Sequence, residues 1–340
     1  MSTSDANTAR RHHTVPKFYL RGFAKEEQIV TVRLPGKQRF VQSISNATVG
    51  KDFYSVEGHV DGADVVERAL SEVEGATAAL FKRVAAGQWP LSAVDRTTLG
   101  FYVALQAARV PVQRRTMDYM AAQLARLQIG AGGKASFRRQ LEQVAGEISD
   151  EQFERMWAQA IRPEGPPLTR SRAEHLQQML ETSQTTLKYI IGRPWTLVQF
   201  DRRSLITSDS PVGLVPNPAD EPWRGVGYIT AWGITFPLTR KLGLLMSSPQ
   251  AFIDADIAVE RVQRGEADLM QFGTTALEKF FNDHTVATAS EWLFHHPDDS
   301  HFVPAELPEP DPVTMRMQGD PIEFTGEPWF RSNVGTGPTK

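Results

Sequence analysis

The sequence predicts a mainly helical α+β protein organised around one long, kinked helix, and three observations predict it. Apolar residues recur at helical spacing through most of residues 63–191. Two flanking stretches, 28–44 and 195–247, carry short apolar or alternating runs between turn formers, as antiparallel strands do. Within a helical pattern over 92–128, the segment LGFYVALQAARVPV at 99–112 is apolar nearly all round, so that helix belongs in the interior. The N-terminal strands and those of 195–247 are expected to lie close together around it.

The N-terminal stretch RHHTVPKFYLRGFA at 11–24 is the densest in unusual choices. Pro16 pushes Val15 toward extended geometry and opens a helical turn at 17–22. Phe18, Tyr19 and Phe23 anchor that turn. His12 and His13 stand just before it, where unpaired helical N–H groups favour negative charge. Adjacent histidines point in different directions, so the pair is not expected to hold one metal ion. A hairpin follows, 28–34 and 38–44, turned by Pro35, Gly36 and Lys37, and Asp52-Phe53-Tyr54 closes this β segment.

The next helix, 63–86, repeats Val66, Leu70, Val73, Leu80, Phe81 and Val84 at helical spacing. Glu67 and Glu74 are seven apart and share nearly one side of it. Glu74 is either solvated at the helix edge or tucked under to meet Arg109. Trp89-Pro90 breaks the chain before the central helix. There Gln106 and Arg109, three apart, share one face, and Pro111 kinks the helix just beyond. A buried arginine keeps its charge and needs carboxylates, carbonyls or a bound anion. The pattern is expected to stop at Gly-Ala-Gly-Gly, 130–133, with further helices at about 136–146, 150–160 and 170–191.

At Trp195 the texture changes. Residues 195–200 and 204–207 read as strands, followed by Ser208-Asp209-Ser210-Pro211. Asp209 is read two ways: an Asx-turn bonding its own downstream amides, or a site carboxylate at a strand end. Residues 227–236 and 242–247 complete a hairpin. Helices are expected at about 252–260 and 264–296, the second carrying Asn282, His284, His295 and His296. From Pro297 the chain turns rich in proline and acid, so one globular domain at 11–296 is expected, followed by a loosely packed tail at 297–340.

Composition narrows the function classes. The chain has 340 residues, 41% hydrophobic and 23% charged, which is ordinary globular material. A net charge of −3 exerts no global pull on nucleic acid or membrane. Locally, seven basic residues (Arg109, Arg114, Arg115, Arg126, Lys134, Arg138 and Arg139) face one acid, Asp118, so a polyanion could be guided there. With no cysteine, disulfides, thiolate metal sites and cysteine nucleophiles are excluded. The N-terminus lacks the apolar core of a signal peptide, and no run approaches the roughly 18–20 apolar residues of a membrane span. A cytoplasmic location with no membrane partner is expected; oligomeric state is left open.

Several motifs occur together and in order. The stretch from His12-His13 through Pro16, Tyr19, Leu20 and Arg21 to Phe23 resembles the opening of a bacterial family known as domain of unknown function 4238. Asp52-Phe53-Tyr54, Leu70 to Glu74, and Gln106 to Arg109 with Pro111 are similar to its next marks. So are Trp195 with Thr207 to Pro211, Phe236-Pro237-Leu238, and Asn282. The resemblance covers about residues 12–295, with Ser210 where the family usually has asparagine. It places motifs and implies no reaction.

His13, Glu74, Arg109 and Asp209 are the candidate catalytic residues, with His12, Arg21, Gln106 and Asn282 as substrate-binding candidates. Proton transfer calls for a histidine or carboxylate titrating near neutrality, and charge on a phosphate calls for arginine. The first expectation is therefore a hydrolase or transferase acting on a phosphate-bearing substrate, a nucleotide or nucleic acid, with a place in bacterial defence or toxin biology. His13 would be the acid or base, Glu74 or Asp209 would orient it, and Arg109 would hold the anion. The alternative is a non-catalytic binding protein in which the same residues form a buried structural network. His13, Glu74 and Asp209 have ligand types that suit a divalent metal, but no metal-ligand spacing accompanies them. No cofactor is indicated. P-loop, Rossmann and GxSxG patterns are absent.

Overall fold

The computed structural model of the chain describes residues 11–56, 60–62, 64–221, 224–317 and 322–329. Its contacts resolve into two units, one of residues 1–113 and 171–314, the other of 114–170 and 315–340. In chain order, the first unit opens with β1 (Arg11–His13) and α1 (Lys17–Leu20), which continues as a 3-10 turn to Phe23. Then come β2 (Gln28–Arg33), β3 (Gln38–Ser43), β4 (Val49–Lys51), α2 (Val65–Ala85) and α3 (Ala93–Ala108). The expected helical turn, hairpin and following helix are all present.

Ser92 starts α3 by accepting the Asp95 N–H at 3.2 Å, a side-chain cap that satisfies one orphan donor. The expected kink at Pro111 is a full break. Proline has no N–H for the Ala107 carbonyl and its ring clashes there, so α3 ends at Ala108 with Arg109 as its C-cap. Pro111 then opens α4 (Pro111–Ala145) as its first residue, the helical position proline suits best.

In the second unit, the stop expected at 130–133 is a kink within the range given for α4, and a second helical stretch follows it to Ala145. Only Gly133 departs from helical geometry, with φ of 74°. A Cβ there would sit 2.7 Å from the Gly326 carbonyl oxygen, so both the backbone angle and the close approach demand glycine. α5 (Asp150–Ile161) begins with a Ser149 capping box and packs Phe153 and Trp157 around Phe137. Much of the basic stretch is already engaged. Arg126 is buried and donates to the carbonyls of Ile161 and Ile322, Lys134 pairs with Glu154 at 2.6 Å, and Arg138 pairs with Asp150 at 2.5 Å.

Back in the first unit, a Ser171 capping box starts α6 (Arg172–Ile191). The remaining elements are β5 (Trp195–Gln199), β6 (Thr207–Ser208), β7 (Gly213–Val215), β8 (Gly233–Thr239) and β9 (Leu242–Ser247). They are followed by α7 (Gln250–Asp254), α8 (Val259–Gln263), β10 (Leu269–Phe272), α9 (Thr275–Thr288) and β11 (Trp292–His295). The expected helix at 264–296 is thus strand, helix and strand, because sheet pairing claims both its ends. β10 pairs parallel with β5, and β11 lies between β2 and β6 with Leu293 and Phe294 buried. The helix expected at 252–260 is two short ones, and the strand expected at 227–236 begins only at Gly233.

One sheet has the order β10-β5-β9-β8-β7 and another β3-β2-β11-β6, while β1 pairs only with β4. The N-terminal hairpin therefore shares a sheet with β6, and the two strand groups do lie together. Tyr19 stacks on Phe236 with ring centroids 5.3 Å apart, and its hydroxyl donates to the Pro237 carbonyl at 2.8 Å. Arg96 is fully buried. It makes two bonds to Asp268, at 2.8 and 3.1 Å, donates to the Ile191 and Arg193 carbonyls, and lies over the Trp195 ring. Residues 297–302 form a 3-10 turn whose buried Asp299 takes two bonds from Arg240, at 2.6 and 2.7 Å. Residues 297–314 group with the first unit and the described residues beyond 314 with the second.

Candidate functional site

A cleft of about 610 Å³ opens in the first unit where β1, α1 and α2 meet. Helical spacing explains the α2 wall: from Glu67 through Ser71 to Glu74 or Gly75 and on to Ala78, the steps are three or four residues and share a face. Strand alternation explains the wall from β1. Arg11 and His13 face one way and line the cleft, whereas His12 between them turns inward and is 1% exposed. Lys17, Phe18 and Arg21 come from α1 and the turn after it, with Tyr54 and Arg109 behind.

The inner surface is a set of made bonds. The Arg109 guanidinium donates through Nε to Tyr54 Oη at 2.9 Å, through Nη1 to Glu74 Oε1 at 2.8 Å, and through Nη2 to the His13 carbonyl at 2.7 Å. Burial alone would pull its pKa down. The Tyr54 phenol and the Glu74 carboxylate more than offset this, and the net direction is up. Glu74 is therefore tucked under to meet Arg109. His12 stacks on Tyr54, and its Nδ1 accepts the Tyr54 N–H at 2.7 Å, so the ring proton sits on Nε2, 2.7 Å from Glu67 Oε2. Behind them Gln106 is fully buried and donates to the Thr14 carbonyl at 3.0 Å.

The outer surface is less complete. His13 lines the cleft, and its Nε2 is buried with no hydrogen-bond partner among the described residues. Burial first, then the charge of Lys17, hold the His13 pKa below 6.5, against the raising effect of the Ser45 and Ile44 backbone. Burial and that charge both favour the neutral ring. Burial pushes the Glu67 carboxyl up, with the charge of His12 opposing it. Of the cations, Arg21 is matched by Glu27 at 2.6 Å and Arg11 donates to Asn46 Oδ1 at 2.9 Å. The Lys17 ammonium has no ion-pair or hydrogen-bond partner among the described residues.

The cleft thus collects His13, Glu74, Arg109 and Arg21, with His12 and Gln106 bracing it from behind. Asp209 does not line it. Its carboxylate accepts the N–H groups of Ser290, Glu291 and Trp292 at 2.9 to 3.3 Å and ties the 208–211 turn to the start of β11. Asn282 does not line it either. It accepts the Ile206 N–H at 3.0 Å and donates to the Ser204 carbonyl at 3.2 Å and to Glu278 Oε1 at 2.5 Å, holding α9 to the segment that leads into β6. Both are short polar side chains spent on backbone groups that would otherwise be buried unpaired. Sequence reasoning had not singled out Lys17, Tyr54 or Ser71 as site residues, and had noted Glu67 only for its spacing from Glu74. Among the described residues, no group of three or more His, Asp or Glu side chains is arranged to hold a metal ion, and no helix is long and apolar enough to cross a membrane.

No curated protein and no solved structure matches the chain. The family described as protein of unknown function (DUF4238) matches residues 11–299, and the chain belongs to that family.

Proposed function

We propose that the cleft binds a phosphate-bearing substrate and that the protein is a hydrolase or transferase acting on it by general acid–base chemistry. The observation that carries this reading is His13 Nε2: a buried imidazole nitrogen with no partner, on a ring kept neutral, in the wall of an open cleft beside an unmatched lysine. A neutral imidazole takes a proton from an attacking hydroxyl, and such a base is worth roughly 10²–10⁴ in rate. Lys17, assisted by Arg11, holds the anion. The imidazolium that forms on His13 then returns the proton to the leaving group. Arg109 positions rather than binds, since its three nitrogens already hold Tyr54, Glu74 and the His13 carbonyl. The engagement of Arg126, Lys134 and Arg138 by partners of their own favours a small ligand over a long polyanion.

A second reading, a non-catalytic binding protein, is favoured by that same inner network, which is complete without a ligand. His13→Ala separates the two when assayed on a panel of phosphomonoesters and phosphodiesters. Turnover lost with stability nearly unchanged supports catalysis. A stability loss of roughly 1–3 kcal/mol, the cost of a missing buried hydrogen bond, with no turnover by the wild type, supports the structural role.

A further inference from the structure

Resting on the phosphate reading of this cleft, we propose that its ligand is a sugar phosphate: a phosphoryl group at Lys17 and Arg11, joined to a hydroxyl-bearing ring that lies over α2 between Glu67 and Glu74. The two carboxylates carry the argument together with the shape of the helix between them. Glu74 has one oxygen on Arg109, and Glu67 has one oxygen against His12. The second oxygen of each has no partner among the described residues, and both side chains keep roughly a quarter of their surface exposed, 25% for Glu74 and 29% for Glu67. Carboxylate oxygens only accept, and a partly buried acceptor is stabilised by a donor. The P–OH of inorganic phosphate sits on an anion that the two carboxylates repel; the neutral hydroxyls of a sugar donate without that repulsion.

The floor between the carboxylates is built for a ring. Ser71 turns its hydroxyl back onto the Glu67 carbonyl at 2.9 Å, which leaves its outer side without a protruding group. Gly75 lies in the interior of the 21-residue α2, where glycine costs about 1 kcal/mol against alanine. A Cβ on Gly75 would meet nothing within 4 Å, so no protein neighbour requires the glycine. The open space above it is part of the cleft. Cations at one end and half-used acceptors along α2 select a ligand that is an anion at one end and a hydrogen-bond donor along its length. The cleft volume of about 610 Å³ is ample for a phosphorylated pentose.

Calorimetric titration of the full chain with inorganic phosphate and with ribose 5-phosphate tests this. Ribose 5-phosphate is expected to bind at least about tenfold more tightly than inorganic phosphate, the gain from two hydroxyl–carboxylate bonds. Gly75→Leu, a better helix former, fills the floor. It should remove that gain while leaving inorganic phosphate within about twofold, and Ser71→Leu should do the same from the adjacent turn. Lys17→Gln should weaken both ligands. Phosphate binding with no gain from ribose, or a gain untouched by both leucine variants, overturns the sugar assignment alone. Failure of either anion to bind overturns it together with the phosphate reading.

Discussion

Arg109 spends its guanidinium on three parts of the chain at once: α2 through Glu74, β1 through the His13 carbonyl, and the segment after β4 through Tyr54. Arg109→Ala leaves the His13 carbonyl and the Tyr54 hydroxyl short of a donor. It should destabilise by about 3 kcal/mol, the low end for a broken buried pair because Glu74 remains a quarter exposed. A urea midpoint equal to wild type would contradict this. His12 and His13 should also behave differently despite being neighbours. His12→Ala removes the acceptor for the Tyr54 N–H and the stacked ring, a loss of roughly 1–3 kcal/mol. His13→Ala leaves the Arg109 bond to the His13 carbonyl in place and removes the ring's contacts with the Ser45 and Ile44 backbone, so it should cost less than His12→Ala. The need of Arg109 for a partner was legible in its apolar surroundings, as was the divergence of the two histidines. Which of them faces the cleft was not, because that depends on where α2 packs.

At the scale of elements, helix starts were the most readable features. Ser92, Ser149 and Ser171 each cap the helix that follows, and Pro111 opens α4, all through contacts within a few residues. The strands β10 and β11 were not readable, because their sequence lies in a stretch patterned as helix and only pairing with β5, β2 and β6 makes them strands. Asp209 shows the same limit. As a turn former it could have bonded its own downstream amides, but its partners are the amides of residues 290–292, brought beside it by β11. Asp209→Ala strands those N–H groups and should cost about 2–3 kcal/mol. Phosphate binding in the cleft should be unchanged, and a loss of binding at unchanged stability would return Asp209 to the site.

Over the whole molecule, buried histidines contribute to the loss of stability in acid. Burial first holds His295, 1% exposed with Nε2 unpartnered, below its ordinary pKa of 6.5, and His13 and His296 shift the same way. A histidine with a lowered folded pKa binds a proton more readily when unfolded, so stability falls as the pH drops below 6.5. Glu67 and Glu278, raised by burial from 4.5, act with the opposite sign as the pH rises through their folded pKa values. Chemical denaturation of wild type and His295→Gln between pH 7 and about pH 5 isolates the histidine contribution. The variant should show the shallower fall, and equal slopes would refute it. By itself the sequence determined the mainly helical α+β class, the starts of α3, α5 and α6, the N-terminal hairpin and the demand of a buried arginine for a counter-charge. Each of these is decided by residue type and by neighbours a few positions away. The tertiary structure alone decided that Glu74 meets Arg109, that Lys17 is left unmatched, that Asp209 and Asn282 serve the backbone, and that 269–272 and 292–295 are strands. Those outcomes depend on partners 35 to 265 residues distant, which no local preference encodes.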